Sequence, residues 1–303
     1  MNILITGATG LVGTHLTRSL VAEDHKVIAV TRNAEKARHL GIEIVEWKHP
    51  EQEIFPVAAL HDIDVVVHLA GEHIAATRWS EEQKLRIRNS RVLSTRNLVA
   101  AIEKSAHKPK AFICASAIGF YGDRGEEQLP ETAVAGKGFL AEICQAWEAE
   151  AAHAKSSGCR VAQVRIGVVL ANESGALQEM LPIFKFGLGG TLGSGQQWFP
   201  WIHVDDVVGI IQHAIINEAV QSPINAVAPI SVTNHEFTQA LAATIHRPAF
   251  FFVPNFALRI GLGEMADMLL SSVRVIPEVA AKTGYEFKCR LLTDALSDLL
   301  KKE

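Results

Sequence analysis

Gly7, Gly10 and Gly13 fall at every third position of Thr6-Gly7-Ala8-Thr9-Gly10-Leu11-Val12-Gly13, directly after the apolar run 2–6. The chemistry that this spacing permits is the binding of a pyrophosphate. Gly7 allows a tight turn, Gly10 lets the backbone approach the anion with no side chain between, and Gly13 lets a following helix lie close to the strand before it. Leu11, Val12, Leu16 and Leu20 repeat at helical spacing. Free N–H groups and the positive end of a helix dipole then face the phosphates. Gly7, Thr9, Gly10, Leu11, Val12 and Gly13 are therefore candidates for holding a dinucleotide. The pattern is GxxGxxG rather than GxGxxG, which leaves the anion-binding argument unchanged.

The second apolar run, 26–31, ends about twenty residues beyond the glycines, where a site for NAD offers Asp or Glu to the ribose hydroxyls. This chain offers Thr31-Arg32. A guanidinium suits a 2′-phosphate through charge-assisted hydrogen bonds, so the expected cofactor is NADP(H). The plainer reading makes Arg32 a solvated residue that opens the next helix, with Lys36 and Arg38 as surface charge.

Groups able to move a proton follow later runs: Glu72, Ser116, Tyr121 and His203. Each also has an ordinary reading. His203, in Trp201-Ile202-His203-Val204-Asp205-Asp206, caps the next helix or bonds within its loop. Tyr121 belongs to a Tyr-Gly turn, and Glu72 is a loop charge. Trp198, Phe199 and Trp201 wall a substrate pocket or pack two lobes together. The cysteines Cys114, Cys144, Cys159 and Cys289 and the thirteen histidines show no ligand spacing. No metal is expected, and the thiols read as reduced.

The elements that must position these groups alternate. Strands are predicted at 42–47, 64–70, 110–116 and 160–170, and helices near 34–40, 80–104 and 137–156, which implies an α/β doubly wound parallel sheet. The helix 137–156 carries Phe139, Leu140, Ile143, Cys144 and Trp147 on a core face. The expected division is a Rossmann-type nucleotide domain over 1–170, with 204–228 returning to it, and a substrate lobe over 171–303 that includes a small C-terminal domain at about 248–300. A formal net charge of -4 without a long basic run argues against nucleic acid. No stretch approaches a membrane span. A first strand that starts at residue 2 predicts no leader, so a cytoplasmic protein is expected.

Several phrases carry a resemblance. GATGLVG, Leu69-Ala70-Gly71, SAIGFYG at 116–122 and WIHVDD at 201–206 look like the short-chain dehydrogenase/reductase superfamily, in its extended branch, the NAD-dependent epimerase/dehydratase family. AGE-I, WEAEA, RIGVVLA and LGSGQQWFPWIHVDD resemble more narrowly the atypical group called "epimerase family protein". Its members end in a C-terminal domain of unknown function, which the stretch from Arg247 to Phe287 is similar to. The resemblance covers nearly the whole chain. It implies that Leu69, Ala70, Gly71 and Glu72 pass along the adenine ribose, that Ile166 and Val168 pass the nicotinamide, and that Ser116 lies at the same end. Arg91 stands where the superfamily usually has Asn, and the resemblance implies that it reaches the cofactor phosphates; otherwise it is a helix-surface charge.

The superfamily's chemistry uses a Tyr and, four residues on, a Lys whose ammonium depresses the phenol pKa, with a Ser beside them. The corresponding helix here reads Gly138-Phe139-Leu140-Ala141-Glu142-Ile143-Cys144, without that dyad in any nearby register. The Ser aligns as Ser116 from the strand end or as Ala117 from the Tyr-Gly turn. Ser116 and Tyr121 are the catalytic candidates. Three functions compete: an NADP(H)-dependent oxidoreductase or epimerase with other proton-handling groups, a non-catalytic NADP(H) sensor, and a ligand-binding module. The small-molecule substrate is unnamed by the sequence. A monomer or a homodimer formed through the helices 80–104 and 137–156 is expected.

Overall fold

Short apolar runs separated by amphipathic helices can bury both faces of a sheet only if the strands run parallel with helices above and below. The computed structural model, which describes residues 1–301, has this arrangement. The strands are β1 (Asn2–Thr6), β2 (Lys26–Thr31), β3 (Glu43–Glu46), β4 (Val65–His68), β5 (Ala111–Ala117), β6 (Arg160–Ile166) and β7 (Ile224–Ala226). They pair in parallel in the order β7-β6-β5-β4-β1-β2-β3. The order reverses between β1 and β4. A crevice for a ligand opens there, beyond the carboxyl ends of the strands.

Alternation along each strand divides the core. Ile3 and Ile5 of β1 face one layer and Leu4 the other, as Ile113 and Phe112 do in β5. The first layer is α1 (Leu11–Ala22) with the late helix Val204–Ile216, and the second is α2 (Glu81–Lys104) with α3 (Phe139–Ala152). Leu16 and Leu20 of α1 are fully buried, each stabilising the layer by about 1.5–3 kcal/mol. Numbered in order, Val204–Ile216 is α4. The Arg160 guanidinium on β6 donates to the carbonyls of Ala214, Ile215 and Val220, closing the C-terminal end of α4.

The expected strand 160–170 is two strands. Gly167 N–H donates to Ala226 O, and a Cβ on Gly167 would sit 2.5 Å from Pro200 O. The chain therefore leaves the sheet there, and Val168–Leu170 pairs instead with Trp201–His203. This step leads into a second cluster, built by Leu177, Leu181, Phe237, Leu241, Leu296 and Leu299. The expected helix 34–40 is a single α-turn, Ala34–Ala37, followed by a tighter 3-10 turn that ends at Gly41 with φ of +66°. The tail is fastened by Asp206, which is fully buried in α4. Its carboxylate accepts from Tyr285 Oη at 2.9 Å and from the N–H groups of Lys288 at 2.8 Å and Cys289 at 2.9 Å. Among the described residues no helix is long and apolar enough to cross a membrane, and no group of three or more His, Cys, Asp or Glu side chains is placed to hold a metal ion.

Candidate nucleotide site

The turn after β1 is made by its glycines. Gly7 has φ of +74°, and a Cβ there would lie 2.8 Å from the Leu69 carbonyl carbon. A Cβ on Gly13 would lie 2.1 Å from Gly7 O and 2.8 Å from Ala8 Cα, so only glycine lets α1 start this close to the strand. Gly10 differs. A Cβ there meets only Gly7 O, at 3.3 Å. Gly10 is the N-cap of α1 and no side chain caps it, which leaves the first-turn N–H groups of a twelve-residue helix for a ligand.

A cavity of about 240 Å³ opens at this turn. Gly7, Thr9, Gly10, Thr31, Arg32, Leu69, Ala70, Gly71 and Glu72 all border it, brought together from β1, β2 and β4. Leu11, Val12 and Gly13 form the first turn of α1 beside it. The structure adds Trp47, Pro50, Glu51, Ser90 and Ser94, which the sequence reading did not name. Trp47 follows the last residue of β3, and the carboxyl ends of the strands carry the crevice, so its place in the strand pattern was the available signal.

Arg91 on α2 lies against Gly71, where a Cβ would come within 3.1 Å of its Cζ. Its Nη1 donates to Ile87 O at 3.1 Å, and its guanidinium stands 5.4 Å from the Trp147 ring centre. Burial pulls its pKa below the usual arginine range. Among the described residues no carboxylate lies within 4.0 Å of it.

The wall at Leu69-Ala70-Gly71 is held from beneath by His68, a residue the sequence reading passed over as strand. Ala70 N–H donates to Thr6 Oγ1 at 3.3 Å, and Thr6 Oγ1 and His68 Nδ1 are 2.6 Å apart. Thr95 gives its proton to Arg91 O at 2.6 Å, so it accepts from His68 Nε2–H at 3.0 Å. This assigns His68 the neutral tautomer protonated on Nε2, with Thr6 donating to Nδ1. Complete burial pushes the imidazole pKa down to about 3. Below pH 6.5 the unfolded chain therefore takes up a proton that the folded chain refuses. Stability is fully present above that pH and falls by about 1.4 kcal/mol per pH unit on acidification toward pH 3. Urea unfolding of the parent and His68→Gln across this range should differ by that slope. Equal slopes would dismiss the assignment.

Ser116 and Tyr121 lie elsewhere, with neither bordering the cavity. Ser116 Oγ donates to Glu148 Oε1 at 2.6 Å. Glu148 in turn grips Arg165 through Nε–Oε1 at 2.8 Å and Nη2–Oε2 at 2.9 Å. Tyr121 is 0% exposed. Its hydroxyl donates to Asn225 Oδ1 at 2.7 Å and accepts from Arg165 Nη1 at 2.9 Å. Burial pushes its pKa up. The expectation that these two hydroxyls supply reacting groups thus meets a closed network that joins β5, β6, β7 and α3. Ile166, paired with Ala117, ends β6, and Val168 lies past the bend at Gly167; neither borders the cavity. Leu140 and Cys144 of α3 face the turn after β5, with Leu140 Cβ at 3.1 Å and Cys144 Sγ at 3.9 Å from a Cβ on Gly119. Burial pushes the Cys144 thiol up to about 11, so it stays protonated. His203 caps α4, its Nδ1 accepting from Asp205 N–H at 3.1 Å.

A glycine turn feeding an uncapped helix at the reversal of a parallel sheet defines a dinucleotide-binding protein of the Rossmann type. The chain belongs to the NAD dependent epimerase/dehydratase family, whose model matches residues 3–226, and a domain of unknown function, DUF1731, matches residues 253–299. It is 38% identical to the epimerase family protein ML0860 of Mycobacterium leprae, over 97% of this chain and 94% of that one. It is 39% identical to the Arabidopsis thaliana epimerase family protein SDR39U1 homolog, chloroplastic, over 99% and 87%. Among solved structures it is similar to human epimerase family protein SDR39U1 (isoform 2) with NADPH, at a TM-score of 0.90 and 35% identity, over 99% of both chains.

Proposed function

We propose that the chain binds NADP(H) in the crevice between β1 and β4 and exchanges hydride between it and a small carbonyl or alcohol substrate, without a tyrosine handling the proton. The observation that carries the cofactor is Arg32 at the mouth of the cavity, at the end of β2, where no Asp or Glu stands. Arg91 supports it: a half-buried guanidinium with no carboxylate within 4.0 Å among the described residues suits a phosphate. The similarity to a protein solved with NADPH agrees. Bound NADP(H) supplies the hydride. The chain's own residues bind and orient: the α1 N–H groups and Arg91 the phosphates, Thr31 and Arg32 the 2′-phosphate, and Leu69 to Glu72 the adenine ribose.

The proton is the open part of the chemistry. The chain has two tyrosines, and both hydroxyls are engaged, Tyr121 with Asn225 and Arg165 and Tyr285 with Asp206. Burial raises both pKa values. Leu140 and Cys144 occupy the i, i+4 positions that face the end of β5, and neither supplies an ammonium. We therefore assign Ser116 and Tyr121 to holding the sheet ends rather than to proton transfer. This commitment of both tyrosines also favours a second reading, an NADP(H) sensor without turnover.

NADPH should raise the melting temperature more than NADH at equal concentration, by linkage to affinity for the folded state. Arg32→Ala should weaken NADPH about tenfold to a hundredfold, the worth of one or two charge-assisted hydrogen bonds, and leave NADH unchanged. Equal loss for both cofactors would refute the role of Arg32. NADPH oxidation across a panel of carbonyl compounds separates the two readings: turnover supports the enzyme, and tight binding with no turnover supports the sensor.

A further inference from the structure

The second lobe carries apolar side chains that nothing among the described residues covers. Phe186, Phe250 and Ile260 are 82%, 89% and 72% exposed, and Phe251, Phe252 and Phe256 are each more than half exposed. Phe250 and Phe252, two residues apart along the extended chain, share one side, and Phe251 lies on the other. The strand Phe251–Val253 pairs in parallel with Gly190–Leu192, Arg247 Nε donates to Lys185 O at 3.1 Å, and Pro248 Cγ is 3.7 Å from a Cβ on Gly187. The helix Asn255–Leu262 follows directly, and places Phe256 and Ile260 one turn apart on the same side. In a ribbon with one covered face, Phe251 or Phe252 would be buried. Here both are partly in water, and exposed phenylalanines gathered in one short segment mark a contact site.

The charges at its rim say what kind. Lys185 and Arg247 flank the phenylalanines, and Arg78 reaches the patch by donating to Ile260 O at 3.1 Å. None of these three has a carboxylate within 4.0 Å among the described residues. The nearby carboxylates Glu264 and Asp267 are taken by Lys84 and Arg259, which leaves Glu179, one turn before Ile183, as an acidic neighbour with no cation within 4.0 Å among the described residues. The whole chain nets -4, so this surplus of positive charge is local. A second copy docked on the same face would bring together two surfaces that each carry a surplus of positive charge. A negatively charged lipid surface satisfies both features at once: phenylalanines enter the acyl boundary while lysine and arginine meet headgroup phosphates.

We propose that this face is a peripheral docking surface for an anionic lipid bilayer, with Phe250, Phe252 and Phe256 as the inserted side chains and Lys185 and Arg247 as the headgroup contacts. The test is flotation of the full chain with vesicles of phosphatidylcholine, with and without phosphatidylglycerol. Binding should rise about tenfold with the anionic lipid and fall with added salt. The pairs Phe250→Ser with Phe256→Ser, and Lys185→Glu with Arg247→Glu, should each reduce it about tenfold, with circular-dichroism melts showing that both variants remain folded. Equal binding to the two vesicle types, or no effect of either pair, overturns the proposal. So does a concentration-dependent dimer, seen without vesicle binding and abolished by the phenylalanine pair, which would assign the face to a second copy.

Discussion

Gly13→Ala should destabilise the chain by about 3 kcal/mol and abolish NADPH binding. The added methyl would stand 2.1 Å from Gly7 O and 2.8 Å from Ala8 Cα, and neither is a side chain that can turn aside. The start of α1 must move off β1, and with it the N–H groups that face the phosphates. Gly10→Ala is the informative contrast. Its methyl meets protein only at Gly7 O, 3.3 Å away, so the fold should hold nearly its full stability. The methyl would project instead toward the phosphates, and NADPH affinity should still fall at least tenfold. Urea unfolding and an NADPH titration of both variants give four numbers. A Gly13→Ala protein as stable as the parent would mean that the close approach of helix and strand is not required.

Glu148→Ala should cost about 3–5 kcal/mol, because it leaves Arg165 charged and buried with its bidentate partner gone. The side chains of Arg165 and Glu148 are 4% and 11% exposed, so water does little to replace the lost carboxylate. The Arg165 guanidinium also lies 3.5 Å from the Phe120 ring centre and donates to Glu131 O. The loss therefore spreads to the turn after β5 and to the edge of the sheet. Ser116→Ala removes one neutral donor from the same carboxylate and should cost only about 1 kcal/mol. A thermal melt that ranks the two variants equally would contradict the network. Because the network lies apart from the cavity, NADPH affinity per folded molecule should change little in Ser116→Ala.

How much could be read beforehand depended on whether the cause was local. The glycine turn is a backbone requirement confined to seven residues, so Gly7, Gly10 and Gly13 announce themselves and the cavity borders follow from the strand ends. The alternation of apolar runs likewise gave the parallel sheet. His68 was invisible because a histidine inside an apolar strand looks like any strand residue until Thr6 and Thr95 are brought to its two nitrogens from different elements. Glu148 and Arg165 stood in phrases used for the family resemblance, yet nothing in their spacing says that helix and strand would set them together. Ser116 and Tyr121 were placed among reacting groups by position along the chain, whereas their hydrogen bonds run to residues as distant as Asn225. The exposed phenylalanines near 250 entered only through the resemblance to a C-terminal domain, since sequence alone does not tell which apolar strand will lack a cover.

Asp206 has a meaning for the order in which the protein is made. It belongs to the helix that packs on the nucleotide-binding sheet, but its three donors come from Tyr285, Lys288 and Cys289. During synthesis from the N-terminus, the sheet's own strands emerge long before those donors do. Until they arrive, a carboxylate destined for full burial must stay hydrated, and α4 cannot settle completely against α1. A segment about eighty residues further along the chain thus completes a layer of the domain that begins to fold first.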